Sequence, residues 1–265
     1  MFGVVPKSMW NKLNPADENN MCSWAMRCLL VETGDRLILI DNGIGNKQDP
    51  KFFAHYYLHG DDTLSKSLRK LNFTENDITD VFLTHLHFDH CGGSIQWNAS
   101  KDHYEPTFKN AKYWSNERHW QWATQPNPRE KASFLMENIQ PIRESGQLFF
   151  LKEGEKLFDG FEVIFVNGHT DAMMLPSITH NGRTVIFCAD LLPSSAHLPV
   201  PYVMAYDTRP LITMEEKPIF LKNAIQKDAI LVFEHDPVNE CATLVQTEKG
   251  VRVKETGKLI DILGN

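Results

Sequence analysis

Thr84-His85-Leu86-His87-Phe88-Asp89-His90 places four metal-competent side chains within six residues. Imidazole and carboxylate are ligands that zinc, iron and manganese all accept. The segment follows the short apolar run Asp80 to Thr84. His85 and His87, two apart in extended chain, project to one side. Asp89 and His90, after the chain turns, can address a second ion. Cys91-Gly92-Gly93 follows, and glycines permit a tight turn beneath the metals. Three further candidates stand at apolar strand ends: His169 after FEVIFV, Asp190 after RTVIFC, and His235 after AILVF. The counting gives His85, His87 and His169 for one ion and Asp89, His90 and His235 for the other, with Asp190 able to bridge. Asp41 closes LILID and is a candidate outer partner for a ligand histidine.

The elements that carry these residues are readable in outline. Met26 to Glu32 and Arg36 to Asp41, split by Thr33-Gly34-Asp35, read as a hairpin. Asp49-Pro50 starts a helix over Lys51 to His59, and Thr63 caps another over Leu64 to Leu71. Lys112 to Trp114 reads as a strand, and Asn116 to Ala123 and Pro128 to Asn138 read as helices. Asn181-Gly182 between Ser177 to His180 and Arg183 to Cys188 is a hairpin turn signal. Met214 to Gln226 is helical with Pro218 in its first turn or breaking it. Ala229 to Phe233, Ala242 to Gln246 and Val251 to Lys254 close the chain as strands. Strand blocks bracketing helices in both halves predict an α/β class, with two sheets face to face and helices outside.

Composition narrows the function. The 265 residues are 42% hydrophobic and 23% charged, with no repeat or low-complexity tract, and a single domain over 1–265 is expected. Lys+Arg is 27 against Asp+Glu 34, a net charge of −7, which argues against nucleic acid and anionic membrane as partners. No run reaches the roughly 20 apolar residues of a membrane span, and Met1 to Lys7 does not read as a secretory signal. Five cysteines without CxxC spacing argue for a reducing cytoplasm. Cys91 and Cys188 read as small buried packing residues, and His55, His59, His103, His119 and His180 as surface or structural histidines. There is no GxGxxG, GxxxxGK[ST] or GxSxG.

The ordered set — HxHxDH, Gly168-His169-Thr170, a strand-terminal Asp190 and a late His235 — resembles the metallo-β-lactamase fold superfamily over about Phe2 to Val253. Phe2-Gly3-Val4-Val5-Pro6-Lys7, Leu39-Ile40-Asp41-Asn42-Gly43-Ile44-Gly45-Asn46 and the histidine motif resemble quorum-quenching lactonases and methyl parathion hydrolase-like enzymes. The resemblance implies a four-layer αβ/βα sandwich of two mixed sheets flanked by helices, and assigns metal binding to the seven ligands above. It also implies that Asp89 doubles as proton shuttle, so Asp89 and Asp190 are the catalytic candidates. Where many relatives have Gly-His-Thr-Pro-Gly-His, this chain has Gly168-His169-Thr170-Asp171-Ala172-Met173.

The expected activity is hydrolysis, by metal-bound hydroxide, of a lactone or related ester, with two divalent ions as cofactors. Zn2+ is the first choice, with Mn2+, Fe2+ or Co2+ as alternatives. Leu192, His197 and Tyr202, in an apolar, proline-broken stretch after Asp190, are the expected substrate-binding residues. The partner is a small-molecule substrate, with a homodimer as candidate assembly. A phosphotriesterase or arylesterase is the second reading, and a metal-dependent dioxygenase on the same fold is the third.

Overall fold

The computed structural model describes residues 1–264. The chain divides into two compact units, Cys28–Lys152 and Met1–Arg27 with Glu153–Asn265. The chain opens with the short helix α1 (Lys7–Trp10) of the second unit.

In the Cys28–Lys152 unit, β1 (Leu29–Thr33) and β2 (Arg36–Ile40) form the expected antiparallel hairpin. Then come α2 (Pro50–Ala54), α3 (Leu64–Lys70), β3 (Asp80–Phe82) and α4 (Phe88–Cys91). A small hairpin, β4 (Ile95–Trp97) with β5 (Tyr104–Pro106), precedes β6 (Lys112–Ser115), α5 (Glu117–Thr124), α6 (Met136–Glu144) and β7 (Leu148–Phe150). The main sheet is mixed, in the order β1-β2-β3-β6-β7, and β2, β3, β6 and β7 run parallel. Ile40 pairs with Phe82, so Asp41 and the segment after Phe82 leave the sheet at the same carboxyl edge. Parallel strands bury both faces, which is why LILI and VFL are unbroken apolar runs with Ile38, Ile40, Val81 and Phe82 fully buried. Leu68 of α3, Trp120 of α5, and Ile139 and Ile142 of α6 share one core with Leu39 and Val81.

In the other unit, β8 (Phe161–Val166), β9 (Met173–His180), β10 (Arg183–Phe187), α7 (Pro210–Gln226), β11 (Ile230–Val232), β12 (Cys241–Thr247), β13 (Gly250–Gly257) and α8 (Leu259–Leu263) follow. Its sheet runs β13-β12-β11-β10-β9-β8. β9 is antiparallel to both β8 and β10, and β10 is parallel to β11, so β8, β10 and β11 point the same way. His169, Asp190 and His235 follow these three carboxyl ends, the edge where open α/β sheets place ligands. Asn181 (φ 48°) and Gly182 (φ 76°) both adopt the left-handed region that a tight hairpin turn requires.

Several elements differ from expectation. The helix expected over Pro128 to Asn138 lies instead over Met136–Glu144. Asn127 Oδ1 accepts from the amides of Arg129 and Glu130 at 2.9 and 3.2 Å, which holds the chain after 127 in turns. The helix expected over Lys51 to His59 is only Pro50–Ala54, and Tyr57 adopts a positive φ of 50° just beyond it. The final long helix starts at Pro210, not Met214, and runs through Pro218. Asp49 and Thr63 cap their helices as read from the sequence, accepting from the amides of Phe52 and Lys66. Among the described residues no helix is long and apolar enough to cross a membrane.

Candidate metal centre

The Cys28–Lys152 unit contributes His85, His87, Asp89 and His90, held by a polar frame. Asp41, fully buried, accepts from Thr84 N at 2.8 Å, Thr84 Oγ1 at 2.6 Å and His90 Nδ1 at 3.0 Å. The Thr84 hydroxyl spends its proton on Asp41, so it accepts from His85 Nδ1 at 3.1 Å. His87 donates Nε2–H to Glu130 Oε1 at 3.3 Å, and Glu130 Oε2 in turn accepts from Trp122 Nε1 and Asn127 Nδ2. These partners fix the tautomers. His85 Nε2 and His87 Nδ1 are left as lone pairs, 3.1 Å apart. Two neutral nitrogens aimed at each other repel unless a cation takes both, so this pair fits a metal. His90 Nε2 faces Asp89 Oδ1 at 3.9 Å, and Asp89, with a 31% exposed side chain, is the accessible member of the set.

Tight packing supports the motif from below. A Cβ on Gly92 would meet Ile44 O at 2.3 Å and one on Gly93 would meet Asn42 O at 2.3 Å, so only glycine admits the 41–45 loop this close. Lys47 donates Nζ to Gly92 O at 2.6 Å, and its burial lowers its pKa to about 8. Cys91 and Cys188 are buried free thiols whose pKa burial raises, as their packing role requires.

His119 is a structural member of this frame. It is fully buried, and its Nε2 accepts from Leu86 N, within the motif, at 2.9 Å. His119→Ala leaves that amide buried without an acceptor, a cost of about 1–3 kcal/mol. The expected result is a lower melting temperature and reduced metal retention, with His119→Gln, which keeps an acceptor, partly restoring both. Melting curves and metal analysis at wild-type levels for His119→Ala would remove His119 from the frame.

The other unit contributes His169, Asp190 and His235. Asp190 sits in a 3-10 turn (Ala189–Leu191) behind β10, where Ala189 takes a positive φ of 40°. Its two carboxylate oxygens face different histidines: Oδ2 lies 3.1 Å from His169 Nε2 and Oδ1 lies 3.1 Å from His235 Nε2. His169 gives its Nδ1 proton to Asp207 at 2.9 Å, and Asp207 also accepts from Thr213 Oγ1 at 2.6 Å. His235 gives its Nδ1 proton to the carbonyl of Ala25 at 2.8 Å. In the neutral imidazoles both Nε2 lone pairs therefore face carboxylate oxygens, an arrangement that divalent cations convert from repulsion into ligation. The donor set fits that chemistry.

Leu192 and His197 are fully buried, and Tyr202 is half-buried. His197 stacks on Phe2 at 4.5 Å with 3° between the ring planes, and its ring nitrogens meet Ser194 Oγ at 2.7 Å and Met1 O at 3.3 Å. Tyr202 sets its ring edge to Phe2 at 6.4 Å. Met173, fully buried, pairs with Val166 at the start of β9. The sequence reading missed Glu130, Asp207 and the Ala25 carbonyl. Asp207 lies outside every motif and every element expected from the sequence, so no local signal marks it.

A probable metallo-hydrolase of Mycobacterium tuberculosis is 24% identical over 273 aligned positions, covering 89% of this chain and 84% of the relative. The crystal structure of a probable metal-dependent hydrolase from Staphylococcus aureus matches with a TM-score of 0.87 and 26% identity, covering 98% of this chain and 92% of that one. AidC, a dizinc quorum-quenching lactonase solved with a product, matches in fold with a TM-score of 0.73 and 23% identity, covering 89% of this chain and 81% of that one. The sequence model of the metallo-beta-lactamase superfamily matches residues 27–235, and the chain belongs to that superfamily.

Proposed function

We propose that the protein is a dinuclear metal-dependent hydrolase that opens a lactone or a related neutral carboxylic ester. The observation that carries the reading is Asp190, one oxygen toward each of two imidazole Nε2 atoms, the disposition of a carboxylate shared by two ions. In the proposal His85, His87 and His169 hold one ion, Asp89, His90 and His235 hold the other, and Asp190 is common to both. Divalent ions in such a set lower the pKa of coordinated water and polarise a carbonyl oxygen, which removes the need for a serine or cysteine nucleophile. Zinc is the proposed metal, supported by the imidazole and carboxylate donors and by the dizinc state of AidC. In the proposal Asp89, the most exposed of the carboxylates in the set, takes the proton that the attacking water loses and passes it to the leaving alkoxide. Asp41, Asp207 and Glu130 hold the histidines in their ligating tautomers.

Substrate class follows from the surface beside the motif. Phe88, between His87 and Asp89, packs edge-on to Phe52 at 5.4 Å and against Tyr56 at 4.9 Å. Tyr56, Tyr57 and Leu58 are 41%, 67% and 48% exposed, an open aromatic and apolar face. Such a face suits an acyl or aryl tail and offers nothing to a polyanion. Leu192, His197 and Tyr202, in the apolar stretch after Asp190, are the proposed substrate-binding residues. An arylesterase or phosphotriesterase is the second reading, because the same aromatic face suits an aryl leaving group. The five free cysteines support a reducing, cytoplasmic setting.

The test is a hydrolysis panel with metal analysis on the same sample. Acyl lactones or aryl esters are expected to surpass phosphodiesters in kcat/KM, with about two divalent ions bound per chain. Faster turnover of phosphodiesters than of every lactone and carboxylic ester would overturn the substrate class. A reproducible content near one ion, after excess zinc or manganese, would overturn the dinuclear centre.

A further inference from the structure

The turn that delivers His169 from β8 makes its backbone hydrogen bonds to one other segment of the same unit. Asn167 N and Gly168 N donate to the two oxygens of Glu216 at 2.7 and 3.0 Å. Gly168 O accepts from Arg209 N at 2.9 Å, and His169 O accepts from both Thr208 N and Thr208 Oγ1 at 3.0 Å. Asn167 Oδ1 accepts from Ala172 N at 3.2 Å and so fixes the exit of the turn. Gly168 lies against α7 so closely that a Cβ would stand 2.1 Å from Thr213 Oγ1 and 2.4 Å from Thr213 N. Thr213 and Glu216, three apart, share one face of α7. One turns the imidazole through Asp207, and the other grips the peptide planes before it.

We propose that Glu216 is a positioning residue for His169, its carboxylate setting the direction in which that imidazole presents Nε2. The proposal rests on His169 being a metal ligand. Two consecutive amides bound by a single carboxylate form charge-assisted hydrogen bonds, roughly twice as strong as neutral ones. The grip fixes both peptide planes before the histidine, a constraint that packing against Gly168 alone does not supply. Glu216→Gln keeps the shape but presents one acceptor and one NH2 group to two amide donors, so one of the two bonds is lost.

Cobalt(II) titration followed by absorbance, with amide exchange on the metal-free protein, tests this. Glu216→Gln is expected to weaken Co(II) binding by roughly 10–100-fold, as losses of outer partners of a ligand do. Its absorption bands should shift, and the amides of Asn167 and Gly168 should exchange faster without metal. Glu215→Gln, the same charge change at the exposed neighbouring position, should match wild type. Wild-type affinity and bands in Glu216→Gln would overturn the proposal. Should that variant not fold, Glu216→Asp, which keeps the charge and shortens the reach, carries the same expectation and the same refutation. His169→Ala tests the underlying reading separately. Unchanged Co(II) binding there ends the ligand assignment, whereas binding lost there but kept in Glu216→Gln ends only the role of Glu216.

Discussion

Asp190→Ala is expected to strip the protein of metal and lower kcat/KM by about a thousandfold or more, beyond the roughly 10–100-fold typical of losing an outer partner. The argument is geometric. One oxygen of Asp190 stands 3.1 Å from His169 Nε2 and the other 3.1 Å from His235 Nε2, so one side chain faces both of these proposed ligand histidines. Its removal takes a negative charge and an oxygen donor from both proposed ions at once. Asp190→Asn keeps the volume, but its NH2 group meets one of the two Nε2 atoms and supplies no charge, so it should retain metal poorly and asymmetrically. The melting temperature adds a readout independent of turnover. Metal that binds only the folded chain raises it by mass action, and that increment should shrink toward zero in Asp190→Ala. Retention of about two ions per chain with near-normal turnover would show that Asp190 is not shared between the metals.

The candidate ligands could be read from the sequence because strand ends and short-range spacing are local signals. HxHxDH after an apolar strand, and His169, Asp190 and His235 after three others, can each be read within a window of ten residues. Of the groups that hold them, Asp41 was legible at the end of LILID and accepts from His90 Nδ1, but the others were not. Glu130 reaches His87 across 43 residues, Asp207 reaches His169 across 38, and the Ala25 carbonyl reaches His235 across 210. Such partners carry no motif, since any acidic residue or any backbone carbonyl can serve. His119 illustrates the point: it reads as a surface or structural histidine in an amphipathic helix start, and nothing local shows that it accepts the amide at the centre of the motif. Most strands followed from apolar runs and the Asn181-Gly182 turn, whereas the three-residue strands β4, β5 and β7 were missed and α6 was displaced because side-chain bonds from Asn127 hold the preceding segment in turns. The proline-broken stretch after Asp190 read as a pocket wall from its apolarity. Leu192 and His197 are fully buried there, as the candidate ligand Asp190 is buried, while an open apolar face lies at Tyr56, Tyr57 and Leu58. Apolarity alone does not distinguish a wall that faces substrate from one that faces the core.

His197 makes a second large effect expected, on stability rather than turnover. Burial first, and the positive charges of Lys217 and the N-terminus after it, lower its pKa from 6.5 to about 3. The Met1 carbonyl and the charge of Asp190 oppose that shift without reversing it. A neutral ring suits its surroundings: Nε2–H donates to the Met1 carbonyl, Nδ1 accepts from Ser194, and the face stacks on Phe2. A second ring proton would reverse the Ser194 bond and leave a charge inside the core. The unfolded chain takes up that proton below pH 6.5 and the folded chain does not until about pH 3. The unfolded state thus binds more protons in this window, and stability falls as pH falls, by up to about 1.4 kcal/mol per pH unit. His197→Gln removes the titrating group and loses the stacked ring. It should therefore be less stable than wild type near neutrality but show a slope shallower by about one proton between about pH 6.5 and 4. Urea unfolding of metal-free protein in chelator, repeated across that range, isolates the effect from proton competition for the ligand histidines. Equal slopes in the two proteins would mean that folded His197 takes up its proton as readily as the unfolded chain.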